Sequence, residues 1–284
     1  MTASIKARAT RFDLSRTPAH WVPGHPYGTH TLNTLHVVLP PGERWFCDVY
    51  RDALDQIEDP ALLDDVQGFI AQEATHAKAH DRGLAFLAEH GVDVRREVAW
   101  VDRRRLALRR RVRGLPRPLR RRVLKVELAI IAAIEHYTAF LGDWVLTARG
   151  LDAVGTDGPM LDLIRWHAAE EVEHRDVAFD LYQHVDGSYL RRAVHGTLLS
   201  VGLMVGLFLI AGRLAQLDPE LRRGYRYRDY RAAVDAGVLP RVSEVVASLR
   251  HYLRRDHHPS QFGDLDVALA YLATSPGVVR RPAS

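Results

Sequence analysis

The sequence has almost no cysteine. Cys47 is the single thiol among 284 residues, which excludes an internal disulfide framework and a cysteine-rich zinc or iron–sulfur site, because each of these needs several thiolates. A metal site in this chain must therefore be built from histidine, aspartate and glutamate. The chain contains 15 histidines, so the question is where they lie relative to the acidic residues.

The sequence also lacks the marks of export and of β-structure. Residues 1–16 contain no continuous apolar stretch of the kind found in a secretory signal, so we expect a cytoplasmic protein, which suits a lone free thiol. No alternation of apolar and polar residues is long enough to indicate a strand. Since 47% of the residues are hydrophobic, which is sufficient for a sizeable core, we predict an all-α fold.

Prolines and glycines divide the chain into segments. They are frequent up to Gly42, so we predict an irregular segment over residues 1–42, with its histidines His20, His25, His30 and His36 in loops or at the surface. Apolar residues at helical spacing then predict helices over 43–57, 60–90, 119–148, 159–185, 189–217, 241–255 and 264–273, with an arginine-rich crossover at 92–122. We therefore expect a four-helix metal-binding bundle over residues 43–186. An apolar fifth helix and C-terminal helices over residues 187–284 should pack on it.

Two helices carry the same short motif, Glu-x-x-His. It occurs at Glu73 and His76 in the second predicted helix and at Glu171 and His174 in the fourth. A three-residue step returns both side chains to one helix face, so each pair can bind one metal ion. The first and third helices place a glutamate on their apolar faces, at Glu43 and Glu135. This order of Glu and Glu-x-x-His is typical of di-iron and di-manganese sites in four-helix bundles.

The heights of these residues along the predicted helices agree. Glu43 lies 17 residues before Pro60 and Glu73 lies 13 after it, or about 25 and 20 Å from the turn between antiparallel helices. Glu135 and Glu171 lie about 22 and 18 Å from the turn between the third and fourth helices by the same rise. Glu127 is a further eight residues from that turn, so we predict Glu135 as the ligand.

The charges on these residues indicate a pair of cations. Four buried carboxylates need compensation, which two divalent ions supply, and mixed oxygen and nitrogen ligands favour iron or manganese, with zinc as an alternative. His80 and His167 share the same helix faces, either as ligands or as hydrogen-bond partners of ligands. We predict that Glu43, Glu73, Glu135 and Glu171 are the catalytic carboxylates. The predicted metal ligands are Glu43, Glu73, His76, His80, Glu135, His167, Glu171 and His174.

The segments that carry these residues resemble a known family. They are Pro41-Gly42-Glu43, Gln72-Glu73-Ala-Thr-His76-x-x-x-His80, Glu135-His136-Tyr-Thr138 and Trp166-His167-x-x-Glu170-Glu171-x-Glu173-His174-x-x-Val177-Ala178-Phe179-Asp180. Over roughly residues 30–260 the sequence is similar to a bacterial family labelled "predicted metal-dependent hydrolase", and this resemblance implies a ferritin-like four-helix metal site. The His-x-x-x-Glu-x-x-His segment is also similar to that of the di-iron arylamine N-oxygenases, whose extra histidine corresponds to His167.

Three functions fit such a site. The first is a di-iron enzyme that uses O₂ and an electron donor to oxidise an apolar small molecule, which the mainly oxidative chemistry of four-helix Glu/Glu-x-x-His scaffolds favours. The second is metal-assisted hydrolysis, in which a metal pair activates water. The third is non-catalytic iron binding, which the long C-terminal region disfavours.

Two further segments bear on partners. Thirteen arginines and two acidic residues lie between Arg95 and Arg122; this run can attract anionic lipid, nucleic acid or an acidic protein, or it is a solvated connection. No nucleic-acid-binding motif accompanies it, so we expect no nucleic acid.

The uncharged stretch 197–212 is shorter than the about 20 residues that span a bilayer. We favour a buried or homodimer-interface helix there, with peripheral membrane contact as the alternative and a lipid-like substrate as a corollary.

Overall fold

The computed structural model describes residues 5–221 and 223–279, and over these ranges the protein is all-α. Within the described residues, Thr10 and Val278 form an isolated antiparallel β-bridge. The helices, in chain order, are α1 (Pro26–Ala53), α2 (Pro60–Glu89), α3 (Arg95–Arg113), α4 (Arg117–Thr147), α5 (Arg149–Ala153), α6 (Gly158–Glu173), α7 (Val177–Val185), α8 (Tyr189–Leu217), α9 (Tyr227–Asp235), α10 (Val242–Tyr252) and α11 (Leu265–Thr274).

Helix α1 is much longer than the sequence indicates. It begins at Pro26 and continues through Pro40 and Pro41, so the prediction of an irregular segment up to residue 42 is wrong from Pro26 onward. Each proline removes one helical hydrogen bond and would ordinarily end or kink a helix. Both prolines are buried, and we attribute the continuation of α1 to this burial. His30 and His36 are consequently buried, and not in loops or at the surface as expected.

Helix α2 begins and ends close to its predicted limits. The side chain of Asp59 accepts a hydrogen bond from the backbone N–H of Ala61, and Pro60 occupies the first turn, where its missing N–H costs nothing. Gly91 follows the helix with a φ of 84°, a conformation that glycine adopts without steric cost. Helix α4 also matches its prediction to within two residues at its start and one at its end.

The fourth predicted helix is interrupted. Helix α6 ends at Glu173 and α7 begins at Val177, so the expectation of one continuous helix over 159–185 is wrong. The backbone N–H of Val177 donates to the carbonyl of His174 at 3.0 Å, which closes a tighter turn than that of an α-helix. The guanidinium of the buried Arg175 donates back to the carbonyl of Val172 at 2.7 Å. This turn places His174 at the C-terminal end of α6.

The apolar core consists of two clusters. One contains side chains from the second half of α1, the first halves of α2 and α4, and α7, including Phe46, Phe69 and Leu128. The other contains side chains from the opposite ends of α1, α2 and α4 and from α6, including Phe86 and Trp166. Five predicted ligands lie between the residues of the two clusters along the chain, and the other three lie among residues of the second cluster, so apolar side chains flank the polar centre on both sides. The five are Glu43, Glu73, His76, Glu135 and His174, and the three are His80, His167 and Glu171.

The arginine-rich crossover contains a helix, α3, whereas we expected only a connection. Part of its charge is used within the fold. Arg109, which is 2% exposed, donates to Glu127 of α4 at 2.5 Å and also pairs with Asp52 of α1. Arg105 likewise pairs with Asp48 of α1. Because these ion pairs join α3 to α1 and α4, the solvated-connection interpretation is incomplete.

Helix α8 has the predicted limits but not the predicted burial. It is the one helix in the described ranges that is long and apolar enough to cross a membrane by length and composition, with a mean hydropathy of 2.1 over its most apolar window. Only 22% of that window is buried within the chain. The expectation of a helix buried within its own chain is therefore wrong. The homodimer and membrane alternatives remain proposals.

Candidate metal centre

The structure brings all eight predicted ligands together. Each is at most 6% exposed, and they form four overlapping groups in which the ligand atoms lie within 4.8 Å of one another. The groups are Glu43, Glu73 and His76; Glu73, Glu135 and His174; His76, His167 and Glu171; and Glu43, His80 and His167. Glu43 and Glu73 each belong to two of the groups, so these carboxylates would link the groups if cations were bound.

The donor atoms of this centre fit a pair of cations. Seven carboxylate oxygens, both of Glu43, Glu73 and Glu135 and one of Glu171, are buried without a hydrogen-bond partner among the described residues. An unpaired buried polar atom costs free energy, and a buried charge costs far more unless a counter-charge or metal compensates it. Divalent cations would supply both the missing partners and the missing positive charge.

The pKa values of these residues reflect the crowding of negative charge. Burial, followed by the nearby charge of Glu73, raises the pKa of Glu43 well above its ordinary value. Burial, followed by the nearby charge of Glu171, raises the pKa of Glu135 to about 8. Burial also acts to raise the pKa of Glu171, but His174 and His167 outweigh it and hold that pKa well below normal. Without cations, the centre therefore retains protons near neutral pH, and these protons must leave when metal binds.

The two histidines of the Glu-x-x-His motifs are held by the opposite helices in a reciprocal arrangement. His76 of α2 donates from Nε2 to Oε2 of Glu170 on α6 at 2.8 Å, which turns Nδ1 toward Glu73 at 3.2 Å. His174 donates from Nδ1 to Oε1 of Gln72 on α2 at 3.0 Å, which turns Nε2 toward Glu135 at 3.2 Å. Each ring thus directs one nitrogen into the centre and fixes the other on a neighbouring helix, as metal-binding histidines commonly do.

The sequence analysis missed Gln72 and Glu170 as functional residues. A signal was present, because each immediately precedes the glutamate of a Glu-x-x-His motif. One residue corresponds to about 100° of rotation on a helix, so these side chains lie beside the ligand face, where they meet the next helix.

An N-terminal segment closes this side of the centre. The guanidinium of Arg8 donates to Glu170 at 2.9 Å and to both oxygens of Glu173 at 2.7 Å. The amide of Gln72 donates to Glu173 at 2.7 Å. Arg8 thereby neutralises the carboxylate that holds His76, and the predicted irregular segment contributes to the site.

His80 and His167 form part of a row of imidazoles. Nε2 of His80 lies 2.7 Å from Nδ1 of His167, and Nδ1 of His80 lies 2.8 Å from Nδ1 of His36. Nε2 of His167 lies 2.8 Å from Oε1 of Glu171. This arrangement accommodates His80 and His167 either as ligands or as hydrogen-bond partners of ligands, the two alternatives that the sequence leaves open. His36, which we had placed in the irregular segment, extends the row.

Other polar residues near the ligands have different contacts. Glu127 pairs with Arg109 and accepts a hydrogen bond from Nε1 of Trp45 at 3.3 Å, and it belongs to none of the four groups. The ring of His136 donates a hydrogen bond to the backbone carbonyl of Ser248 at 3.1 Å, so it faces α10 and not the centre. Tyr50 stacks on Phe69 in the apolar core.

Comparison with known proteins gives one family match. A family model described as "Predicted metal-dependent hydrolase" matches residues 6–263, a range that includes every predicted ligand and also Arg8. No curated protein and no solved structure matches the chain.

Proposed function

Because the chain belongs to the family of predicted metal-dependent hydrolases, we propose that it is a metal-dependent enzyme with a dinuclear non-haem centre, two iron ions, that uses O₂ to oxidise an apolar organic substrate. Helices α1, α2, α4 and α6–α7 would form a ferritin-like four-helix bundle around this centre. The observation that carries the proposal is the set of seven buried carboxylate oxygens that lack a hydrogen-bond partner and lie beside four imidazoles. Manganese and zinc are the alternative metals for the same ligands.

The ligand set and its surroundings favour oxidation. Glu43, Glu73, Glu135 and Glu171 provide the carboxylates, and His76 and His174 provide neutral nitrogen ligands whose second nitrogens are held by Glu170 and Gln72. Bound iron would supply the activation of O₂. The two apolar clusters exclude water from the centre, which protects reactive species from side reactions. A small apolar gas also reaches such an enclosed site more readily than a charged ester or phosphate. The reaction further requires an electron donor.

Hydrolysis is the second candidate, and the description of the matching family favours it. The same carboxylates and imidazoles bind zinc or manganese, which activate water for attack on an ester or phosphate. Non-catalytic iron binding is the third. All three functions involve small molecules or ions and no nucleic acid, and the cytoplasm remains the proposed location.

Anaerobic reconstitution separates these functions. We expect the chain, purified without a histidine tag, to bind about two ferrous ions and, on addition of O₂, to consume it with a transient visible absorption. Glu73→Ala and Glu171→Ala should abolish metal binding, whereas Glu127→Gln, which lies outside the four groups, should not. An oxygen-insensitive, colourless protein that cleaves model esters with zinc would overturn the oxidative function, and unchanged metal content in both alanine variants would overturn the centre itself.

A further inference from the structure

Helix α8 exposes a continuous apolar stripe. Six large side chains recur at steps of three or four residues and are each 45–71% exposed: Leu190, Val194, Leu198, Val201, Val205 and Leu209. Nineteen residue steps at 1.5 Å make this stripe about 28 Å long. Met204 and Phe208 widen it. A contiguous apolar surface of this kind on a soluble chain marks a binding surface.

The opposite face of α8 is fixed to the rest of the protein. The hydroxyl groups of Ser200 and Tyr137 on α4 form a hydrogen bond at 2.6 Å. Gly196 packs so closely on the ring of Tyr252 that a Cβ there would lie 2.5 Å from it, and the buried Arg192 donates to the carbonyl of Arg254 at 2.7 Å. Crossing a bilayer would draw α4 and its buried carboxylate into the hydrocarbon, which is costly. The geometry therefore fits a helix that lies in the plane of a membrane surface.

Positive charge lies at both ends of the stripe. At the N-terminal end, the guanidinium of Arg255 lies 4.4 Å from the centre of the Tyr189 ring. At the other end, Arg213 is exposed on α8 itself, and Arg226 follows a tyrosine whose ring contacts Phe208 at 4.9 Å. None of these three arginines has an ion-pair partner in the part of the chain that the structure describes. Residues 187–255 contain twelve arginines and five acidic residues.

This charge distribution indicates whether a second copy of the protein or a lipid surface covers the stripe. Two α8 stripes that met in parallel or antiparallel orientation would bring arginines against arginines at both ends, which is repulsive. Lipid phosphates are attracted to the positive charge at both ends of the stripe. The apolar side chains between them can be buried at the boundary between the head groups and the acyl chains. We propose that α8 docks the folded protein on an anionic lipid bilayer, with the stripe in the interface and Arg213, Arg226 and Arg255 at the level of the phosphates.

Vesicle co-sedimentation of the full chain tests this docking. We expect the wild type to bind vesicles of phosphatidylcholine with about one third phosphatidylglycerol and to bind vesicles of phosphatidylcholine alone at least about tenfold more weakly. Leu198→Asn with Val205→Asn should lower binding at least about tenfold, because it places amides in the apolar layer. Arg213→Gln with Arg255→Gln should lower it about tenfold and reduce its salt dependence. The matched control is Leu108→Asn, at a leucine on α3 that is 54% exposed, as Val205 is, and it should bind as the wild type does.

Two outcomes would overturn the proposal. One is a wild-type chain that remains in the supernatant with anionic vesicles. The other is a stable dimer in solution that the Leu198→Asn and Val205→Asn pair dissociates, because the stripe would then be covered by a second copy. All these substitutions are at exposed positions, so far-ultraviolet circular dichroism should show unchanged helix content and exclude unfolding as the cause.

Discussion

His174, the residue that follows α6, donates a hydrogen bond from Nδ1 to Oε1 of Gln72 on α2 at 3.0 Å, and this contact decides which nitrogen of the ring faces the carboxylates. The amide of Gln72 is held in turn by Glu173 at 2.7 Å, so it presents its oxygen to the ring. A neutral imidazole that donates from Nδ1 has its lone pair on Nε2. Gln72 therefore leaves Nε2 of a neutral His174 as the nitrogen that would bind a cation.

Replacing Gln72 should weaken metal binding without removing a ligand. We expect Gln72→Leu to reduce the affinity of the chain for ferrous iron or zinc by about 10–100-fold, the range typical of residues that orient metal-binding histidines. Competition with a chelator measures this change. Gln67→Leu is the matched control, because Gln67 is an exposed glutamine on the same helix. Equal affinities in the two variants would mean that the hydrogen bond does not orient the ring for metal binding.

Glu135 and Glu127 should respond to substitution in opposite ways. Glu135→Gln removes a carboxylate that should bind a cation, so metal content should fall. Without a cation this buried carboxylate destabilises the folded state, so the metal-free variant should be at least as stable as the metal-free wild type. Glu127→Gln leaves the buried Arg109 with one fewer carboxylate and should lower the free energy of unfolding by about 1–3 kcal/mol, with metal content unchanged. Elemental analysis and urea unfolding measure both effects. The reverse pattern would assign the ligand to Glu127.

The stability of the metal-free protein should fall as the pH rises from about 6.5 to about 8. The carboxyl of Glu135 ionises near its ordinary pKa of 4.5 in the unfolded chain but near 8 in the folded protein. Between these values the carboxyl is more protonated in the folded state than in the unfolded state, so its contribution to stability decreases with pH. The pKa values of Glu43, His76 and His174 are also raised, the histidines by nearby carboxylates that outweigh burial, and these groups act in the same direction. Burial lowers the pKa of His36, His80 and His167, and these rings oppose the trend only below their ordinary pKa of 6.5.

Metal should reverse this trend, because cations displace the same protons. We expect the difference in Tm between the loaded and the metal-free protein to widen from pH 5 to pH 8, and proton release on loading to reach about two to four per chain near pH 7. Thermal unfolding and calorimetry in buffers of different ionisation enthalpy test this. A difference in Tm that does not change with pH would contradict proton-coupled loading.

Gly83 on α2 should not tolerate a methyl group. A Cβ at this position would lie 2.3 Å from Nδ1 of the buried His36, so Gly83→Ala should destabilise the protein by about 1–3 kcal/mol. Gly42→Ala is the control, because it is also inside a helix but has nothing within 4 Å of the added atom. That substitution should be neutral or stabilising by up to about 1 kcal/mol. Urea unfolding of both variants distinguishes a packing effect from helix propensity.

The sequence is sufficient to predict which acidic residues and histidines come together, because helical period and distance from a turn are local quantities. Glu73 and His76 must share a face wherever the helix lies, and matched distances from a turn bring residues of antiparallel helices to similar heights. These rules were sufficient to select Glu135 over Glu127, and the structure places Glu135, but not Glu127, in one of the four groups.

The other residues of the site depend on contacts between helices, which cannot be predicted from the helical repeat of one segment. Gln72 and Glu170 act across the space between α2 and α6, and their use depends on how these helices are rotated relative to one another. His36 was missed because Pro40 and Pro41 resemble a helix end, whereas burial keeps them inside α1. The turn after α6 could not be predicted, since it depends on the packing of Arg175.

The imidazoles of His36, His80 and His167 form a row of hydrogen bonds that leads to Glu171. Burial lowers the pKa of all three rings, so each is neutral near pH 7 and carries a single proton. With Nε2 of His167 donating to Glu171, Nδ1 of His167 accepts from Nε2 of His80. Nδ1 of His80 then accepts from Nδ1 of His36. The proton that His167 donates to Glu171 therefore determines the position of the other two protons in the row.

If Nε2 of His167, or Nε2 of His80, held a cation, this order would reverse. In either case Nδ1 of His80 would become a donor, and the proton of His36 would move from Nδ1 to Nε2. His36 belongs to none of the four groups, yet we expect its tautomer to differ between the loaded and the metal-free protein. Nitrogen chemical shifts of this one ring would therefore report metal occupancy from outside the ligand set.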